Sequence, residues 1–291
     1  MKRIMPLLGS NLLLVLMLSV AARLIRLQHW LPAHAGIGAL LLEAALLGAS
    51  ASVLCLLLST WVARSTLGVQ VIVSARNPAE QWLLNVLARH ARALGIGPPQ
   101  AGLFDSPEPN ALATGARRDA ALIAVSTGLL ERMSRPEIEA VLGHEITHIG
   151  SGDMLTLTVI QGVINTSAAF VAYLVGNLVE GAGLLPGSAG ALACLLSVLA
   201  VQLLLGTLAN LIVMGFSRWR ELRADLGGAR LAGKCNMIAA LTELQRAHEL
   251  LPARPLAACG MRSSNVHHGL QRLLMSHPPL DERIAALQSR S

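Results

Sequence analysis

The sequence predicts a mainly α-helical membrane protein, in which four transmembrane helices carry hydrophilic segments holding a metal site and a small β-sheet. Three observations predict it. Hydrophobic residues make up 53% of the chain and charged residues 14%, against about 25% charged in ordinary soluble domains. Residues 4–22, 44–62, 154–179 and 189–216 hold no charge and approach or exceed the ~20 apolar residues that a helix needs to cross a bilayer. Beside the third of these stretches stands the pentad His144-Glu145-Ile146-Thr147-His148. The chain therefore divides into a membrane hairpin (1–63), a hydrophilic segment with the pentad (64–153), a second membrane hairpin (154–216) and a closing hydrophilic segment (217–291).

The first apolar run follows Met1-Lys2-Arg3, as a secretory signal peptide would. Its length exceeds the 7–15 residues of a signal core, and Val20-Ala21-Ala22 leads straight into Arg23-Leu24-Ile25-Arg26, so it reads as a retained span. The second can begin as early as Leu31, which places Glu43 inside it or at its edge. That terminal position favours snorkelling to the interface, or a shorter span.

In the segment that follows, Asn77-Pro78-Ala79-Glu80 starts a helix whose apolar positions include Trp82, Val86, Leu87 and Leu94. Gly95 and Gly97-Pro98-Pro99 end it after about four to five turns. The period then changes. Residues 101–104, 111–114 and 121–125 are short apolar runs separated by turn-forming residues, the pattern of a small sheet. An exposed edge of such a sheet can hold an extended peptide by strand addition; a purely structural hairpin fits the same spacing.

Ser134-Arg135-Pro136-Glu137 is a capping box with proline in the first turn, and Ile138, Val141, Leu142, Glu145 and Ile149 follow at helical spacing. On that helix, residues four apart share one face, so His144 and His148 can reach one Zn²⁺ while Glu145 stands beside the attacking water. Catalytic zinc takes three protein ligands. Glu221, in Glu221-Leu222-Arg223-Ala224-Asp225, is the expected third, and Asp225, one turn later, can accept the free N–H of a ligating imidazole. Alone, such a stretch among Arg218, Arg220, Arg223 and Arg230 is usually a solvated, salt-bridged face; downstream of the pentad, the ligand reading takes precedence.

The third and fourth spans separate the pentad from Glu221, and this pair of spans explains the distance: a hairpin that leaves the membrane surface and returns brings both ligand helices to the same side. The short loop 180–188 holds no Lys or Arg, whereas basic residues flank the pair, which places the flanks, both termini and the site in the cytoplasm. Arg23 and Arg26 oppose that orientation. The net charge of +6 comes without a binding motif and with 3% aromatic residues, so it argues for attraction to anionic lipid and against nucleic acid as a partner. Cys55, Cys194, Cys235 and Cys259 form no C-x-x-C pair and imply no disulfide framework.

Several stretches together carry a resemblance. Met1-Lys2-Arg3-Ile4, residues 110–119, Ala124-Val125-Ser126-Thr127-Gly128-Leu129-Leu130, the pentad with Gly152-Asp153-Met154, Ile160-Gln161-Gly162-Val163, residues 220–225 and residues 276–283 (Ser-His-Pro-Pro-Leu-Asp-Glu-Arg) make the whole chain resemble the M48 family of membrane zinc metalloproteases. The resemblance implies one zinc per chain in a gluzincin-like catalytic domain with a small sheet. It assigns His144, His148 and Glu221 to the metal and Glu145 to catalysis. It further implies an endopeptidase of the bacterial inner membrane, with a cytoplasmic site, that degrades misfolded or damaged membrane proteins under stress. Within the wider family, a histidine from an element like Ser276-His277-Pro278-Pro279 lies near the substrate carbonyl, which makes His277 a candidate oxyanion donor. From the sequence alone, a histidine before two prolines more often anchors a loop. Asn110 is the corresponding candidate for substrate contact on the sheet edge.

Two other classes compete. A catalytically idle, metal-binding membrane scaffold or chaperone has no use for a general base at Glu145. A metal transporter would carry ligands near the midplane of its spans, and the four stretches hold no histidine cluster.

Overall fold

The computed structural model describes residues 13–21, 36–183, 187–249 and 277–289. The molecule is mainly helical and comprises two compact units, Met1–Leu56 with Thr156–Gly215 and Leu57–Leu155 with Phe216–Ser291.

In the first unit, helix α1 covers 13–21, and the rest of the first expected span lies outside the described residues. Helices α2 (Gly36–Leu67), α6 (Asp153–Gly181) and α7 (Gly187–Ala232) follow in chain order, with elements of the second unit between α2 and α6 and again after α7. Among the described residues these three are long and apolar enough to cross a membrane, over Leu40–Leu67, Asp153–Gly181 and Gly187–Ala232. The helices are held as membrane helices usually are, by small residues and polar contacts. A Cβ on Gly48 of α2 would stand 2.4 Å from the backbone nitrogen of Thr166 in α6. Nearby, Asn165 donates to Ser52 Oγ at 3.0 Å and accepts from Gln161 at 3.0 Å. Outward residues such as Leu46, Leu178 and Ile212 are exposed, as lipid-facing side chains would be. Glu43 departs from expectation: α2 begins well before it, the apolar span starts at Leu40, and the side chain is buried rather than snorkelling.

The second unit contains β1 (Gln70–Val71), α3 (Pro78–Ala93), β2 (Gln100–Phe104), β3 (Ala111–Thr114), β4 (Leu122–Ser126), α4 (Thr127–Arg132), α5 (Arg135–Gly150), α8 (Lys234–Glu249) and α9 (Leu280–Gln288). The expected caps form. Asn77 Oδ1 accepts from the Glu80 backbone N–H at 2.8 Å, and Glu137 Oε2 accepts from the Ser134 backbone N–H at 2.7 Å.

The sheet is mixed, in the order β1-β2-β4-β3, with β2 and β4 parallel and β3 antiparallel to β4. It is not the simple hairpin that the spacing allowed, and β1 is a strand the sequence did not announce. β4 is the hydrophobic run Leu122-Ile123-Ala124-Val125-Ser126, buried at every residue, as a strand covered on both faces should be. β3 is an edge strand.

Helix α5 runs through the core of this unit. Ile138, Leu142 and Ile146 lie fully inside it, against Leu83 of α3, Ile123 of β4 and Met237 of α8. Each such side chain contributes about 1.5–3 kcal/mol of burial. That packing leaves α5 little freedom to rotate, which sets where its polar stripe points.

Candidate metal centre

Burial of the apolar face of α5 directs His144 and His148 to one side, and the two rings meet nearly at right angles, 87°, with centroids 4.8 Å apart. Helix α7 continues without a break from its apolar stretch into Ser217-Arg218-Trp219-Arg220-Glu221, since no helix breaker interrupts it. The helix extends past Phe216, the end of the expected span, to Ala232.

Glycines allow α7 to approach α5. A Cβ on Gly228 would lie 2.9 Å from the Ala140 carbonyl oxygen and 3.1 Å from the His144 backbone nitrogen, and one on Gly227 would lie 2.2 Å from Thr147 Oγ1. Gly228 faces backbone and the Met237 sulfur, while Gly227 faces the short β-branched side chain of Thr147, which cannot swing aside. We therefore expect Gly227→Leu to lower both bound metal and the thermal midpoint, overpacking typically costing about 1–3 kcal/mol. Gly181→Leu, at a position with nothing within 4 Å, should leave both unchanged. Metal analysis and melting of the two variants side by side check this.

At this crossing three side chains converge. His144 Nε2 and His148 Nε2 are 3.2 Å apart, His144 Nε2 is 3.5 Å from Glu221 Oε2, and His148 Nε2 is 3.4 Å from Glu221 Oε1. Tetrahedral ligands at the 2.0–2.1 Å typical of zinc stand about 3.3–3.4 Å from one another. With one Glu221 oxygen facing each ring, this spacing is compatible with one metal ion held by the three side chains. All three residues are buried, His144 and His148 at 6% exposure and Glu221 at 2%.

The outer ring nitrogens are also held. His144 Nδ1 lies 2.9 Å from Asp225 Oδ1, and Arg283 of α9 grips Asp225 with Nε at 2.8 Å and Nη2 at 2.5 Å. His148 Nδ1 lies 2.7 Å from Asp153 Oδ2. Burial lowers the His144 pKa, but the contacts with Asp225 and Glu221 outweigh it and raise it to about 10. Burial likewise opposes the charge on His148, yet Asp153 and Glu221 raise its pKa above the ordinary value. Burial opposes the Arg283 charge too, while Asp225 holds its pKa above the ordinary value. Such a pocket attracts cations, be they protons or a metal.

Glu145 is the one member of the pentad's three charged or metal-binding side chains that stays part-exposed. His277 is at the site: its Nδ1 lies 2.6 Å from Glu221 Oε2, and its side chain is 20% exposed. Asn110 is half-buried just before β3, with its backbone carbonyl accepting from Ser126 N–H at 2.9 Å and its backbone N–H donating to Ser126 Oγ at 2.8 Å. The structure thus brings His144, His148, Glu221, Asp225 and His277 together, and ties Asn110 to β4.

Two site residues escaped the sequence reading, Asp153 and Arg283. Both stood inside stretches that carried the resemblance, but nothing local in the sequence distinguishes them from solvated charges at a helix start.

A sequence model of peptidase family M48 matches residues 77–291. The chain is 47% identical to "Protease HtpX" of Nitrosococcus oceani over 292 residues, covering 99% of each. It is 45% identical to "Protease HtpX" of Thioalkalivibrio sulfidiphilus over 294 residues, again covering 99% of each. Among solved structures, the fold is similar to the crystal structure of S. mikatae Ste24p, with a TM-score of 0.58 at 17% identity, covering 94% of this chain and 66% of that one. A buried His-His-Glu triangle fit for a metal ion, apolar helices of membrane-spanning length and full-length relatives all lead to one conclusion: the chain belongs to peptidase family M48, and is a membrane metalloprotease.

Proposed function

We propose that this chain is a zinc-dependent endopeptidase of a bacterial inner membrane, which cuts misfolded or damaged membrane proteins at the cytoplasmic face as part of quality control under stress. The observation that carries the reading is the triangle of His144, His148 and Glu221 with Glu145 on the same helix as the two histidines. Two His and one Glu form a ligand set of known catalytic zinc sites and leave a position open.

In this proposal the metal, when bound, supplies Lewis acidity, making water acidic enough to lose a proton near neutral pH and polarising the scissile carbonyl. Glu145 accepts the proton of the attacking water and later hands it to the leaving amine. Asp225, on the opposite ring nitrogen, would leave His144 Nε2 free to hold the metal, and His148 and Glu221 would supply the other two donors. His277 donates to the oxyanion that develops on the substrate. Asn110 and the edge of β3 hold the extended peptide by strand addition.

The membrane arrangement belongs to the same proposal. Hairpins 1–63 and 154–216 form four spans, and the catalytic segments 64–153 and 217–291 lie in the cytoplasm. Residues 180–188 lack positive charge, and Arg218, Arg220 and Arg223 crowd the other end of the last span. Glu221 follows Phe216 by about 8 Å of helix rise, which puts the reacting centre close to the bilayer face. A reporter inserted within 180–188 should read as outside and one at Ser291 as cytoplasmic; the reverse would move the site to the periplasm.

The enzymatic test uses purified full-length protein in lipid with a membrane protein bearing a destabilised cytoplasmic loop. Cleavage within that loop should stop with chelator and resume with zinc. Chelator-insensitive cleavage, or cleavage confined to exported loops, would overturn the proposal.

A further inference from the structure

A ligating imidazole needs an acceptor for its outer N–H, which fixes its tautomer and the direction of its ring. For His144 that acceptor is Asp225, clamped by Arg283. His148 has a counterpart in Asp153, although five residues along an uninterrupted helix would lie about 140° away around the axis. The chain departs from the helix to make the contact. α5 ends at Gly150, and Gly152 takes a left-handed φ of 68° before α6 begins at Asp153. This turn brings the Asp153 carboxylate back over His148 Nδ1 at 2.7 Å, with Asp153 only 1% exposed.

A carboxylate so buried requires a counter-charge. Arg223 of α7 supplies it, Nη2 donating to Asp153 Oδ1. The Arg223 guanidinium is itself held 4.9 Å from the ring of Trp219, one turn earlier in α7. Arg220 Nε adds positive charge 4.0 Å from Asp153 Oδ2. The triangle is thus flanked on both sides by the same series, imidazole, aspartate, arginine, with the arginines coming from α9 and α7.

We propose that Asp153, held by Arg223, is the positioning residue for His148, so that metal retention depends on the start of α6 staying joined to α7. This rests on the ligand reading of His148 given above. The alternative role for Asp153 is an acidic first-turn residue that favours the N-terminus of α6, worth a fraction of a kcal/mol at most surfaces. That role affects stability and leaves metal affinity alone.

The test is zinc affinity, measured by chelator competition on full-length protein in detergent, alongside the thermal midpoint of the metal-free form. Asp153→Asn should weaken zinc about 10–100-fold, and Arg223→Gln should weaken it less. The double variant should match Asp153→Asn alone, because both act through one path. Combining Asp153→Asn with Asp225→Asn should instead multiply the losses, since the two aspartates serve different histidines. If Asp153→Asn fails to fold, Arg223→Gln, at a side chain 39% exposed, carries the measurement. Wild-type zinc affinity in the folded variants, with only the midpoint lowered, would overturn the inference. His148→Ala separates the two readings: if it keeps wild-type affinity, the ligand assignment falls and this inference with it, whereas loss there beside unchanged Asp153→Asn overturns this inference alone.

Discussion

Replacing Glu145 by glutamine should reduce peptide hydrolysis by about 10²–10⁴-fold, the usual worth of a positioned general base, while zinc stays bound. Glutamine keeps the size and hydrogen bonding of the side chain but cannot take a proton. Metal should remain because Glu145 is outside the His144, His148, Glu221 triangle. Single-turnover cleavage at matched zinc content measures the effect. Wild-type rates in that variant would assign the proton transfer to another group, and would revive the idle scaffold as the reading of this metal site.

Removing a ligand should abolish activity by a different route. His144→Ala, His148→Ala or Glu221→Ala leaves two of three donors, and bound zinc per chain should fall sharply in each, whereas Asp225→Ala should cost about 10–100-fold in affinity or activity. Full zinc in Glu221→Ala would shift the third ligand to another carboxylate, with Asp225 the first to examine. The pH dependence follows from the same contacts. With the His144 pKa raised to about 10, the proton held by the metal-free site contributes stability fully present below the ordinary value of 6.5 and lost as pH rises through about 10. A metal must displace that proton, so its apparent affinity should climb with pH up to that region, about tenfold per unit for each proton released. Calorimetric titration in buffers of different ionisation enthalpy counts those protons directly.

Much of the architecture was legible because its causes are local. The starts of α3 and α5 follow from Asn77-Pro78-Ala79-Glu80 and Ser134-Arg135-Pro136-Glu137, where the capping groups lie within three residues of each other. Helical spacing alone places His144 and His148 on one face, and unbroken apolar runs account for α2, α6 and most of α7. Glu221 and Asp225 could be chosen because a zinc site needs a third ligand and an imidazole needs an acceptor, which are demands of chemistry and not of fold.

What remained illegible depends on contacts between distant parts of the chain. Parallel pairing of β2 with β4, and the recruitment of Gln70 and Val71 as a fourth strand, reflect which partners the packed chain makes available. His144 meets Asp225 across 81 residues, and Asp225 meets Arg283 across 58. Nothing near Arg283 in the sequence separates it from a solvated charge. Asp153 reaches His148 only because Gly152 turns the chain back, and Glu221 reaches both histidines only because Gly227 and Gly228 let α7 approach α5. Residue type and spacing therefore specify which groups can bind a metal. Close packing of helices brought together from separate stretches of chain specifies that they do so at one point, with each ring held from behind by a charge that only the folded molecule supplies.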